Sequence, residues 1–265
     1  MPTSYGTVLR DWRAARRMSQ LELATVADVS QRHVSFLEKG RSKPSREMVI
    51  HLAIALDVPL RERNTMLMVA GYSSEYGETA LTAPALDQVR GILERILRAH
   101  EPFPAFVVDR GWDVVLANQA AMRFTTSMID PSNPIAVAGM NALKLVLHPD
   151  GVRRFIVNWP QVATAALRRL DNEVASRPTD AVLRDLRDEV LSYPDVAGLL
   201  RHPALPAAED LLVPFHYRVG NNDLKLFSTI AILGEAHDIT LEELRLETFF
   251  AADAATEELL RDGIL

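Results

Sequence analysis

Cysteine is absent from the 265 residues. Disulfides, thiolate zinc sites and cysteine nucleophiles are therefore excluded. Also missing is any run of about 18 apolar residues, the length a membrane-spanning helix needs. The opening stretch MPTSYGTVLRDWRAARRMSQ has no apolar core of the leader type. The sequence thus predicts a soluble, cytoplasmic protein without a membrane partner. Aromatic residues make up only 6%. The seven histidines are scattered, with no His-x-x-x-His or His-Glu-x-x-His spacing. Neither a Gly-x-Ser-x-Gly elbow nor a phosphate-cradling glycine loop occurs. These gaps predict a protein that is not an enzyme and holds no metal or cofactor.

What remains is ordinary for a globular chain, with 48% hydrophobic and 24% charged residues. The net charge of −6 hides a split. Residues 1–71 hold 11 Lys and Arg against 7 Asp and Glu, a net of +4. The rest holds 18 cations against 28 anions, a net of −10. A basic first quarter and an acidic remainder imply two modules with different partners.

The basic part reads as five short helices. Leu9 and Trp12 share a face of the first, with Arg10, Arg13, Arg16 and Arg17 around it. Ser19 and Glu22 have capping-box spacing before QLELATVA. Ser30 can cap QRHVSFLEK, which Gly40 ends. Pro44-Ser45 precedes the fourth helix, Pro59 the fifth, and Gly71 stops it. The second and third fit a helix-turn-helix. Val34 and Leu37 can pack back on the second helix, where Ala24 allows close approach and Leu21, Leu23 and Val26 supply the facing core.

Gln31, Arg32, Ser35 and part of Phe36 then face outward. Glutamine suits an adenine edge and arginine a guanine edge. His33 either covers the helix or joins them, and Phe36 either packs on the next loop or meets a thymine methyl. Glu38 is expected to pair with a nearby arginine. Gln20, at a helix start, can hold a phosphate. Arg41 and Lys43 follow in a loop, and Arg16 and Arg17 complete a cationic rim. A bundle built to bind protein would call for neither the local +4 nor these outward side chains.

The carrying stretches are LRDWRAARRMSQLELA, VSQRHVSFLEKGRSKPS and MVIHLAIALDV. Residues 6–71 resemble the lambda-repressor/Cro-like, or XRE, helix-turn-helix family. That family usually has glycine where Asp28 stands, at a position that often needs positive φ. Asp tolerates such a φ, so the turn is expected to survive at a small cost.

A polar stretch, YSSEYGETALTAP, follows as a linker over 72–84. ALDQVRGILERILRAH is an amphipathic helix that either opens the second domain or connects the two. Two short β runs flank Asp109-Arg110-Gly111, and Asn118 can cap QAAMRF. Residues 124–150 show weak periodicity. Residues 152–202 are helical in pattern, broken by Pro160, Pro178 and Pro194. A hairpin turns at Gly220-Asn221-Asn222, and the strand LRLETFF and the helix AATEELLRD end the series. Strands mixed with helices in this order predict an α+β domain over an antiparallel sheet.

HEPFPAFVVDRGWDVVLANQAAMRF, LHPDGVRRFIVNWPQVATAALRRLDNE and LRLETFFAADAATEELL resemble the ligand-binding domain of MmyB-like transcription regulators, over roughly residues 83–260. VVDRGWDVVLANQAA is also similar to the opening of a PAS domain. The resemblance implies a PAS-like domain that holds a small apolar molecule such as a fatty acid. Trp112, Phe124, Phe155, Trp159, Phe215, Tyr217 and Phe227 are the candidate pocket residues; taken singly, each reads first as ordinary core.

The expected fold is multidomain. An all-α five-helix helix-turn-helix domain spans 1–71, and an α+β PAS-like domain with an antiparallel sheet spans 85–265. The expected function is sequence-specific regulation of transcription by a homodimer on a palindromic double-stranded operator, with a fatty-acid-like effector. In the alternative, the second domain serves only dimerisation or recruitment of a protein partner.

Overall fold

The computed structural model describes residues 4–137, 139–203 and 212–263. They fall into two compact units, and the chain is multidomain and α+β. One unit comprises residues up to Thr79 together with Glu173–Asp180 and Gly234–Glu242. The other holds Ala80–Asn172, Ala181–Leu233 and the residues from Glu243 onward.

The first unit contains α1 (Tyr5–Ala15), α2 (Gln20–Val26), α3 (Gln31–Glu38), α4 (Arg46–Ala55) and α5 (Leu60–Ala70). A serine opens each of the first four. Ser4, Ser19, Ser30 and Ser45 accept from the backbone N–H groups of Thr7, Glu22, His33 and Met48. Each such cap contributes about 1 kcal/mol. Ser19 and Glu22 form the reciprocal capping box. Gly71 ends α5 at φ 90°.

Pro59 offers α5 no side-chain cap. Glu242 supplies it from far along the chain, accepting from Leu60 N–H at 2.8 Å. Residues 72–79, linker-like in composition, fold against the same unit. Asn64 accepts from the N–H groups of Glu75 and Tyr76 and donates to the Tyr76 carbonyl, and Thr79 N–H donates to Asp238.

Leu9, Trp12, Leu23, Val34, Leu37, Leu52 and Leu67 form the centre of this unit's core. Leu21 and Val26, expected in that core, are 58% and 60% exposed. The inward stripe of α2 is Leu23 and Ala24, continued by Ala27 at its C-cap. Successive residues turn by about 100°, which carries positions 21 and 26 to the helix flanks. Gly6 lets α1 touch the end of α3: a Cβ there would lie 2.5 Å from the carbonyl oxygens of Leu37 and Glu38.

Asp28 sits at φ 47°. Glycine would relieve the steric cost of that region but would lose more chain entropy on folding. Asp28→Gly is therefore expected to raise stability by only a few tenths of a kcal/mol. A thermal melt checks this, and a lower midpoint would show that the Asp28 side chain itself stabilises the turn.

Beyond residue 80, a short 3-10 turn leads into α6 (Asp87–Ala99). The strands β1 (Ala105–Val108) and β2 (Val114–Ala117) come next, then α7 (Gln119–Thr126), α8 (Pro134–Val137), α9 (Ala142–Leu147), α10 (Trp159–Ser176), α11 (Ala181–Leu191) and α12 (Val196–Arg201). The chain continues through β3 (Phe215–Val219), β4 (Asn222–Ile232), α13 (Ile239–Glu243), β5 (Arg245–Ala251) and α14 (Ala254–Arg261). The strands make one antiparallel sheet in the order β2-β1-β5-β4-β3.

Asn118 ties the start of this sheet together. Its carbonyl accepts from Ala105 and Ala121 N–H, and its amide donates to the Leu97 and Phe103 carbonyls. The β3–β4 hairpin is tighter than the sequence suggests: Val219 pairs with Asn222, which leaves only Gly220 and Asn221 in the turn. The short α8 and α9 fill the stretch of weak periodicity, since four and six residues are too few to display a helical repeat.

Candidate functional site

The candidate DNA-reading face is the outer side of α3. Val34 and Leu37 are buried, while Gln31 and Arg32 are exposed and His33, Ser35 and Phe36 are half-buried. The Arg32 guanidinium carbon lies 5.0 Å from the Phe36 ring centre, and that of Arg41 lies 5.9 Å away. One aromatic ring thus carries two cations at the end of the helix. Lys43 Nζ stands 5.8 Å from the Tyr72 ring, and Arg17 is exposed at φ 56°.

Two of the predicted residues are already engaged within the unit. The Arg16 guanidinium donates to the carbonyls of Leu56 and Asp57, at 2.8 and 2.5 Å. A cation at the carboxyl end of α4 is favoured by the helix dipole, so Arg16 clamps that end. The Gln20 amide donates to Glu38 at 2.7 Å.

Glu38 is the hub of this face. It is buried and takes a two-pronged bond from Arg13, at 2.6 and 3.0 Å. Arg13 also donates to the Met18 carbonyl. Residues of α1, α2 and α3 therefore meet on one carboxylate. Burial pushes the Glu38 carboxyl up, but the bonds from Arg13 and Gln20 and the nearby guanidinium outweigh it. The net result lies below the usual carboxylate range.

Lys43 lies in the loop after α3 with an exposed ammonium. Lys43→Ala is expected to weaken operator and random DNA alike and to lower the salt slope of binding by about one. Binding titrations at several salt concentrations measure that slope, and an unchanged value would remove Lys43 from the phosphate contacts.

The second unit contains a cavity of about 400 Å³ that is open to solvent in part. The alternation of β5 places Glu247 and Phe249 on one face and Leu246, Thr248 and Phe250 on the other. Cross-strand pairing sets Phe106 beside Glu247 and Ser228 beside Phe249. These four line the cavity. Opposite them α10 presents Val162, Ala165, Ala166 and Arg169 at helical spacing. Two successive alanines keep that wall low, which leaves space where larger side chains would meet the sheet.

Of the candidate pocket aromatics, Trp112, Phe124, Phe215, Tyr217 and Phe227 lie on the cavity wall. Phe124 and Tyr217 meet edge to face at 5.0 Å, and Phe215 stacks on Tyr217 at 5.9 Å. Phe155 and Trp159 lie outside the lining. Arg154 covers the Phe155 ring, and Arg153 sits 3.6 Å over the Trp159 ring, whose indole N–H donates to the Val146 carbonyl. Wall residues absent from the sequence reading include Phe106, Phe249, Arg169 and Glu247. The LETFF alternation and the i, i+3, i+4, i+7 spacing in α10 carried a signal for them.

Burial pushes the Glu247 carboxyl above its ordinary range, against a bond from Ser228 and the charge of Arg169. The buried Tyr217 hydroxyl is likewise pushed up. Among the described residues, no group of three or more His, Asp and Glu side chains could hold a metal ion, and no helix is long and apolar enough to cross a membrane.

A helix-turn-helix family profile matches residues 9–63. A comparison with curated proteins finds no match. The profile of the MmyB-like transcription regulator ligand binding domain matches residues 89–262. That match takes in well over half of the chain, which belongs to the MmyB-like transcription regulators, DNA-binding proteins that join a helix-turn-helix to a ligand-binding domain.

Proposed function

We propose that the protein is a cytoplasmic, non-catalytic regulator that binds a palindromic operator as a homodimer and is controlled by a small apolar effector of the fatty-acid type. Its working modules are a DNA-reading part over residues 1–71, a linker over 72–84 and an effector part over 85–265. In the DNA-reading part, Gln31, Arg32, His33, Ser35 and Phe36 read base edges. Arg17, Arg41 and Lys43 position the backbone, and Gln20 and Arg16 join them by exchanging their bonds to Glu38 and to the Leu56 and Asp57 carbonyls for phosphate. The observation that carries the effector reading is the cavity of about 400 Å³, within the size range of small-molecule sites and walled mostly by apolar side chains.

Large apolar side chains left exposed on the same unit support a homodimer. Ile92 and Ile96, four residues apart on α6, are 38% and 40% exposed and share a helix face, a stripe that a second copy could cover. Two half-sites would lie about 34–36 Å apart or a multiple of that. Effector binding that shifts the two α3 helices needs a coupling of only about 1–3 kcal/mol to change occupancy roughly 5–150-fold.

Native mass spectrometry and ligand titration of the full chain test this reading. The wild type is expected to retain or bind an apolar molecule. Ala165→Trp, which fills the cavity, is expected to weaken that binding at least about tenfold, with operator affinity of the unliganded protein unchanged. A wild type that binds no apolar ligand would leave the second domain to dimerisation or partner recruitment.

A further inference from the structure

The DNA-reading unit is not built from the first 79 residues alone. Two later segments return to it, Glu173–Asp180 and Gly234–Glu242. Each leaves the cavity wall by a short path. α10 presents Ala165, Ala166 and Arg169 to the cavity. About one helical turn further on its last residues, from Glu173, already belong to the DNA-reading unit. β4 and β5 supply Ser228 and Glu247 to the wall, and the second segment is their connection.

Both segments close on one corner, the turn from α4 to α5. Arg16 donates there to the Leu56 and Asp57 carbonyls and, at 3.4 Å, to the Ser176 carbonyl at the end of α10. Thr179 Oγ1 donates to Glu62, in the first turn of α5, at 3.5 Å. Glu242 accepts from Leu60 N–H and caps the same turn. The connection also holds the stretch after α5. Ile239 N–H donates to the Gly77 carbonyl at 2.9 Å, and Asp238 accepts from Thr79 N–H.

From this corner two lines lead to the DNA-reading face. His51 of α4 donates from Nε2 to the Ala27 carbonyl at 2.6 Å, at the turn between α2 and α3. Past the end of α5, the Tyr72 hydroxyl donates to the Pro44 carbonyl, next to Lys43, whose ammonium stands by the Tyr72 ring.

We propose that the α4–α5 corner is the coupling point of this regulator. An occupant of the cavity acts on it through the end of α10 and the β4–β5 connection, and the corner acts in turn on the α2–α3 turn and the Lys43 loop. The inference rests on the cavity being an effector site. Coupling needs packed elements and hydrogen bonds that have two arrangements. Arg16 supplies them. On the operator it exchanges its carbonyl bonds for a phosphate, so the end of α10 and the DNA draw on one guanidinium. An occupant that moves α10 against the sheet changes the cost of that exchange. By linkage, DNA changes the affinity for the occupant by the same factor.

The test measures operator affinity of the full-length protein by fluorescence anisotropy, with and without saturating dodecanoate, on a duplex selected from a random pool. In the wild type, dodecanoate is expected to change that affinity at least about fivefold, in either direction. It is also expected to alter hydrogen exchange in peptides covering residues 56–62. Glu242→Ala is expected to bind dodecanoate as the wild type does and to cut the change to below about twofold. Ser4→Ala removes a comparable cap at the end of α1 away from Arg16 and is expected to keep the full change. An undiminished change in Glu242→Ala, or one lost equally in Ser4→Ala, overturns the corner and leaves the effector reading standing. So does a wild-type response without altered exchange at 56–62, which decides the matter even where a variant does not fold. Dodecanoate that binds without changing operator affinity also overturns the corner. Failure to bind dodecanoate overturns both.

Discussion

Replacement of Glu38 by alanine is expected to destabilise the DNA-reading unit by about 3–5 kcal/mol, the cost of removing one partner from a buried ion pair. The Glu38 and Arg13 side chains are only 4% and 15% exposed. In the variant, Arg13 would keep its bond to the Met18 carbonyl but lose its counter-charge, and the Gln20 amide would lose its acceptor. The loss would be felt across three helices, because the carboxylate joins α1, α2 and α3. Urea unfolding of wild type and variant measures it. A difference below about 1 kcal/mol, the worth of an exposed pair, would refute the hub.

The same pair makes a pH prediction. The folded carboxyl of Glu38 lies below its ordinary value. Its contribution is thus fully present above the unfolded value of about 4.3 and is lost as pH falls through the folded value. The stability gap between wild type and Glu38→Ala is expected to narrow in acid and to be level at neutral pH.

Arg32→Ala is expected to weaken binding to the cognate operator by about 1–3 kcal/mol, roughly 5–150-fold, with little change on random duplex. Arg32 is exposed and stacks over Phe36. The stack holds the guanidinium at the helix surface and leaves its donor edge open, the arrangement a guanine edge requires. Operator selection from a random pool, followed by parallel titrations on the selected and scrambled duplexes, reads the effect. Equal losses on the two would assign Arg32 to the phosphates.

Much of the first unit was legible because its signals are local. Ser19 and Glu22 are three residues apart, and the capping box forms where that spacing places it. Asp28 takes the positive φ that its position in the turn requires. Leu21 and Val26 were misread because a seven-residue helix has room for one inward stripe, and Leu23 and Ala24 occupy it, with Ala27 at the C-cap. Gln20 was legible as polar, but its tie to Glu38 depends on how α2 and α3 cross.

The cavity was legible only in part. Aromatic content pointed to Trp112, Phe124, Phe215, Tyr217 and Phe227, since large rings gather where a sheet meets its covering helices. Phe155 and Trp159 looked the same in sequence, yet Arg153 and Arg154 cover them outside the lining. Ala165 and Ala166 shape the wall by being small, which composition alone does not reveal.

The sequence by itself determined the helices of the DNA-reading unit, the strands of the second unit and the split of charge between them. Caps, turn residues and the periods of 3.6 and 2 act within a few residues of one another. Only the tertiary structure decided that Arg13 meets Glu38, that Glu242 caps α5, and that Arg169, Ser228 and Glu247 line one cavity. Those groups stand tens to nearly two hundred residues apart along the chain. They meet because strand register and helix crossing close long loops, and no local pattern records which distant side chain will lie opposite.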